Sequence, residues 1–145
     1  MDWIVQKAVE LGVAEVTPMI TQYTAVKEDK KRFEKKLEHW QKIAISACEQ
    51  CGGNVIPIIN PVLSFSEVLL KKIENTTAFI LHLDENTQKL PSNLPNDVII
   101  FIGPEGGFSE KEYQTALIAG CKGITLGSRI LRTETAAIAV LAKIF

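Results

Sequence analysis

The sequence predicts an α/β fold, a mostly parallel sheet flanked by helices. Three observations predict it. Helix and strand signals alternate along the chain, as they do when crossover helices join parallel strands. Phe33, Leu37, Trp40, Ala44, Ala47 and Cys51 recur at three- and four-residue spacing, which is one face of a long helix. Val98 to Ile102 is apolar without alternation, as a strand covered on both faces is. The length of 145 residues, 46% of them apolar, fits one domain over 1–145.

The elements follow in order. Ile4, Val5, Ala8 and Leu11 give a helical stripe that Gly12 closes. Val13 to Ile20 reads as a strand. The long helix comes next and stops at Gly52-Gly53-Asn54. Val55 to Ile59 is the second strand. Ser64-Phe65-Ser66-Glu67 is a capping box, with Leu63 and Val68 as its staple, and opens a helix to about Ile73. Ala78 to Leu83 is the third strand. Glu85 to Asn96 is polar, holds Pro91 and Pro95, and reads as a loop before the Val98 to Ile102 strand. Ser109-Glu110-Lys111-Glu112 is a second capping box, stapled by Phe108 and Tyr113, and its helix ends at Gly120. Gly123 to Leu126 is a fifth strand, and a last helix starts near Arg132.

Two features at the ends stand apart. Trp3 lies in a helix signal at the very start, as in a domain with something before it. Ala136 to Phe145 holds nine apolar residues and Lys143 as its one charge. A helix apolar all round needs cover all round. It is a central core helix or a subunit interface, and its terminal position favours a homodimer.

Composition narrows the function classes. A net charge of −1 shows no global basic excess and counts mildly against a nucleic-acid partner. A local basic patch remains open, since Lys27 to Lys42 holds seven basic and four acidic residues. Such a run is usually a solvated helix face; with RNA bound it is a phosphate-contacting surface. Cys48, Cys51 and Cys121 make an odd count that suits free thiols in a reducing cytoplasm. The C-x-x-C spacing lacks the second ligand pair of a zinc site. No metal cluster stands out. No apolar run approaches the ~20 residues of a membrane span, and no signal peptide is visible.

Two segments carry candidate chemistry. Gly103-Pro104-Glu105-Gly106-Gly107 follows a buried strand and precedes a capped helix. Ligands in open α/β sheets collect at such carboxyl strand ends. The pattern is neither G-x-G-x-x-G nor a Walker loop, which disfavours phosphate cradling. Ligand loop and plain tight turn stay equally open here. The second segment, Leu126 to Ala136, also joins a strand end to a helix start. Arg129 and Arg132 are suited to a carboxylate, a phosphate or RNA. Ile130 and Leu131 suit an adenine-sized pocket. Glu134 falls in the first helical turn, where the dipole favours an acid. Spacing alone leans towards plain structure. His82 ends the third strand at the same sheet edge, and His39 lies off the apolar stripe.

Taken together, Ile102 to Ser109 and Leu126 to Ala136 resemble the signature of the small-subunit (16S) ribosomal RNA uracil-N3 methyltransferase family, within the knotted SPOUT methyltransferases. Further matches are Asp2 to Ala8 with Glu10 to Val13, Trp40 to Ala44, and Glu49 to Gly52, in order along the chain. The resemblance implies a SPOUT-type fold with a C-terminal trefoil knot. It implies S-adenosylmethionine bound by three loops: Leu81 and His82; Ile102, Gly103, Pro104, Glu105 and Gly106; and Leu126, Gly127, Arg129, Ile130, Leu131, Arg132 and Thr133. Ribosomal RNA or the small ribosomal subunit is the implied partner, with a homodimer through the C-terminal helix.

The chain departs from the family pattern twice. The usual N-terminal β-barrel RNA-binding domain is not in it, and Gly53 and Val55 stand where basic residues are common. The expected chemistry is methyl transfer to uracil N3, with Arg132, Glu134 and Glu105 as candidate catalytic groups. The alternative is a non-catalytic dimeric RNA-binding or assembly module that keeps the fold. A P-loop nucleotide-binding domain is disfavoured by the absent lysine.

Overall fold

The computed structural model describes residues 1–24, 30–72, 76–84 and 87–145. Ile73, Glu85 and the Lys27 to Asp29 part of the basic run, all named above, lie outside the described residues. The elements run α1 (Asp2–Glu10), β1 (Glu15–Val16), β2 (Met19–Ile20), α2 (Lys30–Cys51), β3 (Ile58–Ile59), β4 (Leu63–Ser64), α3 (Phe65–Lys72), β5 (Thr77–Leu81), β6 (Gln88–Lys89), β7 (Val98–Phe101), α4 (Glu110–Ile118), β8 (Lys122–Thr125) and α5 (Thr133–Ile144).

Parallel pairing dominates, as predicted. One sheet has the order β6-β8-β5-β7, and each of its pairings is parallel. Strand β5 lies in the middle and alternates its side chains. Ala78 and Ile80 face a core shared with Phe65, Phe101, Phe108 and Tyr113, under α3 and α4. Phe79 faces Ile124 and Val140, under α5. A third cluster joins α1 to α2 through Val5, Val9, Trp40, Ala44, Ala47 and Cys48. Asp2 ties the same two helices: its carboxylate accepts from Trp40 Nε1 at 3.0 Å and pairs with His39 Nε2 at 2.8 Å.

The structure corrects several expectations. The predicted strand from Val13 to Ile20 is two short strands, because Pro18 has no N–H and interrupts the ladder. Strand β1 pairs with β3, and β2 pairs with β4, whose own connection holds Pro61. The second strand shrinks to Ile58–Ile59 because its partner β1 offers two residues and Pro57 precedes it; Val55 and Ile56 are exposed. The predicted loop contains β6, which pairs with β8. Strand β7 has both faces packed, but it is an edge strand, so Val98, Ile99 and Ile100 stay half-buried. Cys48, not Cys51, completes the buried stripe of α2. Cys51 is exposed, while Cys48 and Cys121 are buried free thiols. Burial pushes the Cys121 thiol up to about 11. Helix α5 is covered on one face within this chain, through Ala136, Ala137 and Val140; Ala142 and Phe145 are exposed.

Candidate functional site

Three strand ends meet at the carboxyl edge of the larger sheet. Ile80 is in register with Phe101, and Leu81 with Ile124. The backbone N–H of His82 extends that ladder by donating to Ile124 O at 3.1 Å. The segments leaving β5, β7 and β8 therefore lie side by side, with that of β5 in the middle. In open α/β sheets this edge is where ligands collect.

The loop after β7 turns at Pro104, whose carbonyl accepts from Gly107 N at 2.8 Å. Gly103 is buried, whereas Glu105 and Gly106 form the exposed tip. A Cβ on Gly103 would sit 3.1 Å from the Gly107 carbonyl carbon. The two limbs of the loop thus touch backbone to backbone, and a side chain at Gly103 would force them apart. Helix α4 then starts at a complete capping box. Ser109 Oγ accepts from Glu112 N, and the Glu112 carboxylate accepts from Ser109 N at 2.9 Å. Both expected capping boxes are formed, since Ser64 and Glu67 make the same exchange at the start of α3.

The loop after β8 is open. Gly127 has φ +146, outside the range most side chains tolerate, and nothing lies within 4 Å of where its Cβ would be. Ile130 is 88% exposed, Arg129 and Arg132 are exposed, and Leu131 is only partly covered. Arg132 is the N-cap of α5 with no side-chain cap bond. One bond fastens this loop to the other: Thr133 Oγ1 donates to Gly103 O at 3.1 Å. Glu134 is half-buried in the first turn of α5. Among the described residues, Glu105, Arg129, Arg132 and Glu134 form no ion pair.

Sequence reasoning missed the place of three residues at this site. The His82 ring stacks on Tyr113, with centroids 4.1 Å apart and planes at 25°. Tyr113 is 1% exposed. Burial, then the charges of Asp84 and Glu110, push its phenol above the ordinary value, so it stays protonated. The other two are Gln22 and Tyr23. Gln22 N donates to Glu112 Oε1 at 2.8 Å, and Tyr23 lies against Gly106. These contacts join segments about 90 residues apart, and no local spacing signals them. Among the described residues no group of His, Cys, Asp and Glu is placed to hold a metal ion. Nor is any helix there long and apolar enough to cross a membrane.

Known proteins are similar to this chain in sequence and in fold. The RNA methyltransferase domain family matches residues 1–145. The ribosomal RNA small subunit methyltransferase E of Mesomycoplasma hyopneumoniae is 40% identical over 144 residues, which are 98% of this chain and 62% of that protein. Its namesake from Bacillus subtilis is 35% identical over 156 residues, 99% of this chain and 60% of that protein. A putative methyltransferase from Legionella pneumophila, solved in complex with the bound cofactor SAM, superposes with a TM-score of 0.90 at 41% identity. That match covers 98% of this chain and 59% of the other. A ribosomal RNA small subunit methyltransferase E from Neisseria gonorrhoeae, bound to S-adenosylmethionine, gives 0.89 at 41% identity, covering 98% and 58%. The chain thus spans about 60% of the length of these relatives.

Proposed function

This chain belongs to the RNA methyltransferase domain family, and from that premise we propose that it transfers a methyl group from S-adenosylmethionine to N3 of a uridine in small-subunit ribosomal RNA. The observation that carries the reading is the junction of three loops at one sheet edge, fastened by Thr133 to Gly103 O. The cofactor-bound Legionella and Neisseria structures, alike in fold and sequence, support it.

The residues present suit that cofactor. Leu81 and His82, Ile102 to Gly106, and Leu126 to Thr133 offer backbone amides and carbonyls with apolar neighbours. The empty space beside Gly127 gives a ligand close access to backbone. Half-buried Ile102 and Leu126 and exposed Ile130 suit the faces of an adenine. The cofactor, when bound, supplies an already activated methyl group, so the protein's task is orientation and exclusion of water. Uracil N3 must be unpaired to be reached, and it must lose its proton. Arg132, free of any ion pair among the described residues, stabilises the resulting uracil anion. Glu134 or Glu105 takes the proton. Tyr113 holds the His82 ring at the sheet edge where the loops meet.

The same reading includes the trefoil knot and a homodimer through α5. In support of the knot, β8 enters the sheet between β5 and β6, strands earlier in the chain, while β7 lies on the far side of β5. The test separates binding from chemistry. Arg132→Ala is expected to leave S-adenosylmethionine affinity within a few-fold by calorimetry and to cut methyl transfer about 100-fold. Undiminished transfer removes Arg132 from catalysis. A native chain that takes up no cofactor favours the non-catalytic module.

A further inference from the structure

We infer that Tyr23 is a stacking platform for an unpaired nucleobase beside the glycine loop. The inference deepens the proposed function and rests on it, because it names a residue on the RNA side of the same site.

Tyr23 is a large aromatic residue left 50% exposed. Its backbone is held firmly. Thr21 is buried, its N–H donates to Thr24 Oγ1 at 2.9 Å, and Thr24 N returns a bond to Thr21 O at 3.2 Å. Gln22 N is bound to the Glu112 carboxylate that also caps α4. The Thr21 to Thr24 turn is therefore fixed to the helix that the glycine loop leads into. Gly106 completes the arrangement: a Cβ there would come within 3.0 Å of Tyr23 Cβ. The bare glycine lets the aromatic residue settle directly onto the tip of the loop proposed to hold the cofactor.

An exposed aromatic ring on a fixed backbone costs little entropy to use, and every base has a π face to stack on it. Proteins that act on a base in RNA take it out of its helix and hold it by such stacking. The occupant that fits is a single-stranded RNA base, with the ring gripping by area and leaving the edge of the base free for chemistry.

The experiment compares two ten-unit probes of equal phosphate charge, oligouridine and an abasic ribose-phosphate strand, by fluorescence anisotropy at fixed salt. The proteins are the native chain, Tyr23→Phe and Tyr23→Leu. Leucine keeps the Cβ and Cγ that rest on Gly106 and removes only the ring. Tyr23→Leu is expected to bind oligouridine about tenfold more weakly and the abasic strand as before, while Tyr23→Phe behaves as the native chain. The inference is overturned if Tyr23→Leu binds oligouridine normally, if it loses both probes equally, or if the native chain fails to prefer oligouridine. S-adenosylmethionine calorimetry on the same proteins keeps the outcomes apart. A native chain that binds cofactor while Tyr23→Leu loses nothing sinks the platform alone. One that binds neither cofactor nor RNA sinks the methyltransferase reading with it.

Discussion

At Gly123 the chain has no room for a single carbon. A Cβ there would overlap the Tyr113 hydroxyl, and Tyr113 is fixed between the core and the His82 ring. Gly123→Ala should cost about 2 kcal/mol, the usual range for overpacking, measured as a shift in urea midpoint. Adding Tyr113→Phe, which removes the clashing oxygen, should recover most of it. Asp2 makes a second prediction. The hydrogen bond from His39, then that from Trp40, holds its carboxyl below the ordinary aspartate value against a smaller opposing effect of desolvation. A depressed carboxyl stabilises the fold above its unfolded value, and that contribution is lost as pH falls through the folded one. As pH falls below the ordinary aspartate value of about 4, Asp2→Asn should show a shallower acid loss of urea stability than the native chain. Neither role was visible in the sequence. The Asp2 carboxylate reaches His39 and Trp40 across two helices, and Gly123 reads there as an ordinary strand residue. The paired loops were legible, because a strand end, a glycine turn and a helix start are all local patterns.

At the scale of elements, the start of α5 sets helix stability against the role proposed for Arg132. Its N-cap residue is Arg132, in extended conformation at φ −63 and ψ 153, with no side-chain cap bond. Serine or aspartate is the usual choice there. Arg132→Ser should stabilise the fold by about 1 kcal/mol, raising the thermal midpoint by a few degrees, while methyl transfer falls. A variant that gains stability and keeps full transfer would contradict the role proposed for Arg132. The helices were the most legible elements, since capping boxes and apolar stripes lie within a few residues of one another. The short strands were misjudged for the opposite reason. Where β1, β3 and β6 begin and end is set by partners far along the chain, and Pro18 and Pro57 mattered more than the apolar runs around them.

For the whole molecule, the question left by the sequence is the apolar terminal helix. Ala142 on α5 and Phe145 just after it remain exposed, although α1 packs against the helix within the same chain. Under the proposed dimer, Ala142→Glu should halve the mass seen by light scattering at low concentration and leave the circular dichroism unchanged. An unchanged mass in the native chain and the variant removes α5 from the interface. The all-apolar composition was legible, but the face of α5 that this chain itself covers was not, because Phe79 and Ile124 meet Val140 from far along the chain.

The all-parallel pairing also governs how the molecule comes into being. Among the described residues no two strands are joined by a hairpin: the shortest sheet pairing already links Thr77 to Val98, and β8 must find β5 across a longer span still. Each pairing therefore closes a long loop before any ladder bond rewards it. Helix α2 can form from local contacts, but the edge that gathers Leu81, Gly103 and Leu126 cannot exist until the slowest closures are complete. During refolding, affinity for the proposed cofactor should return with the final kinetic phase.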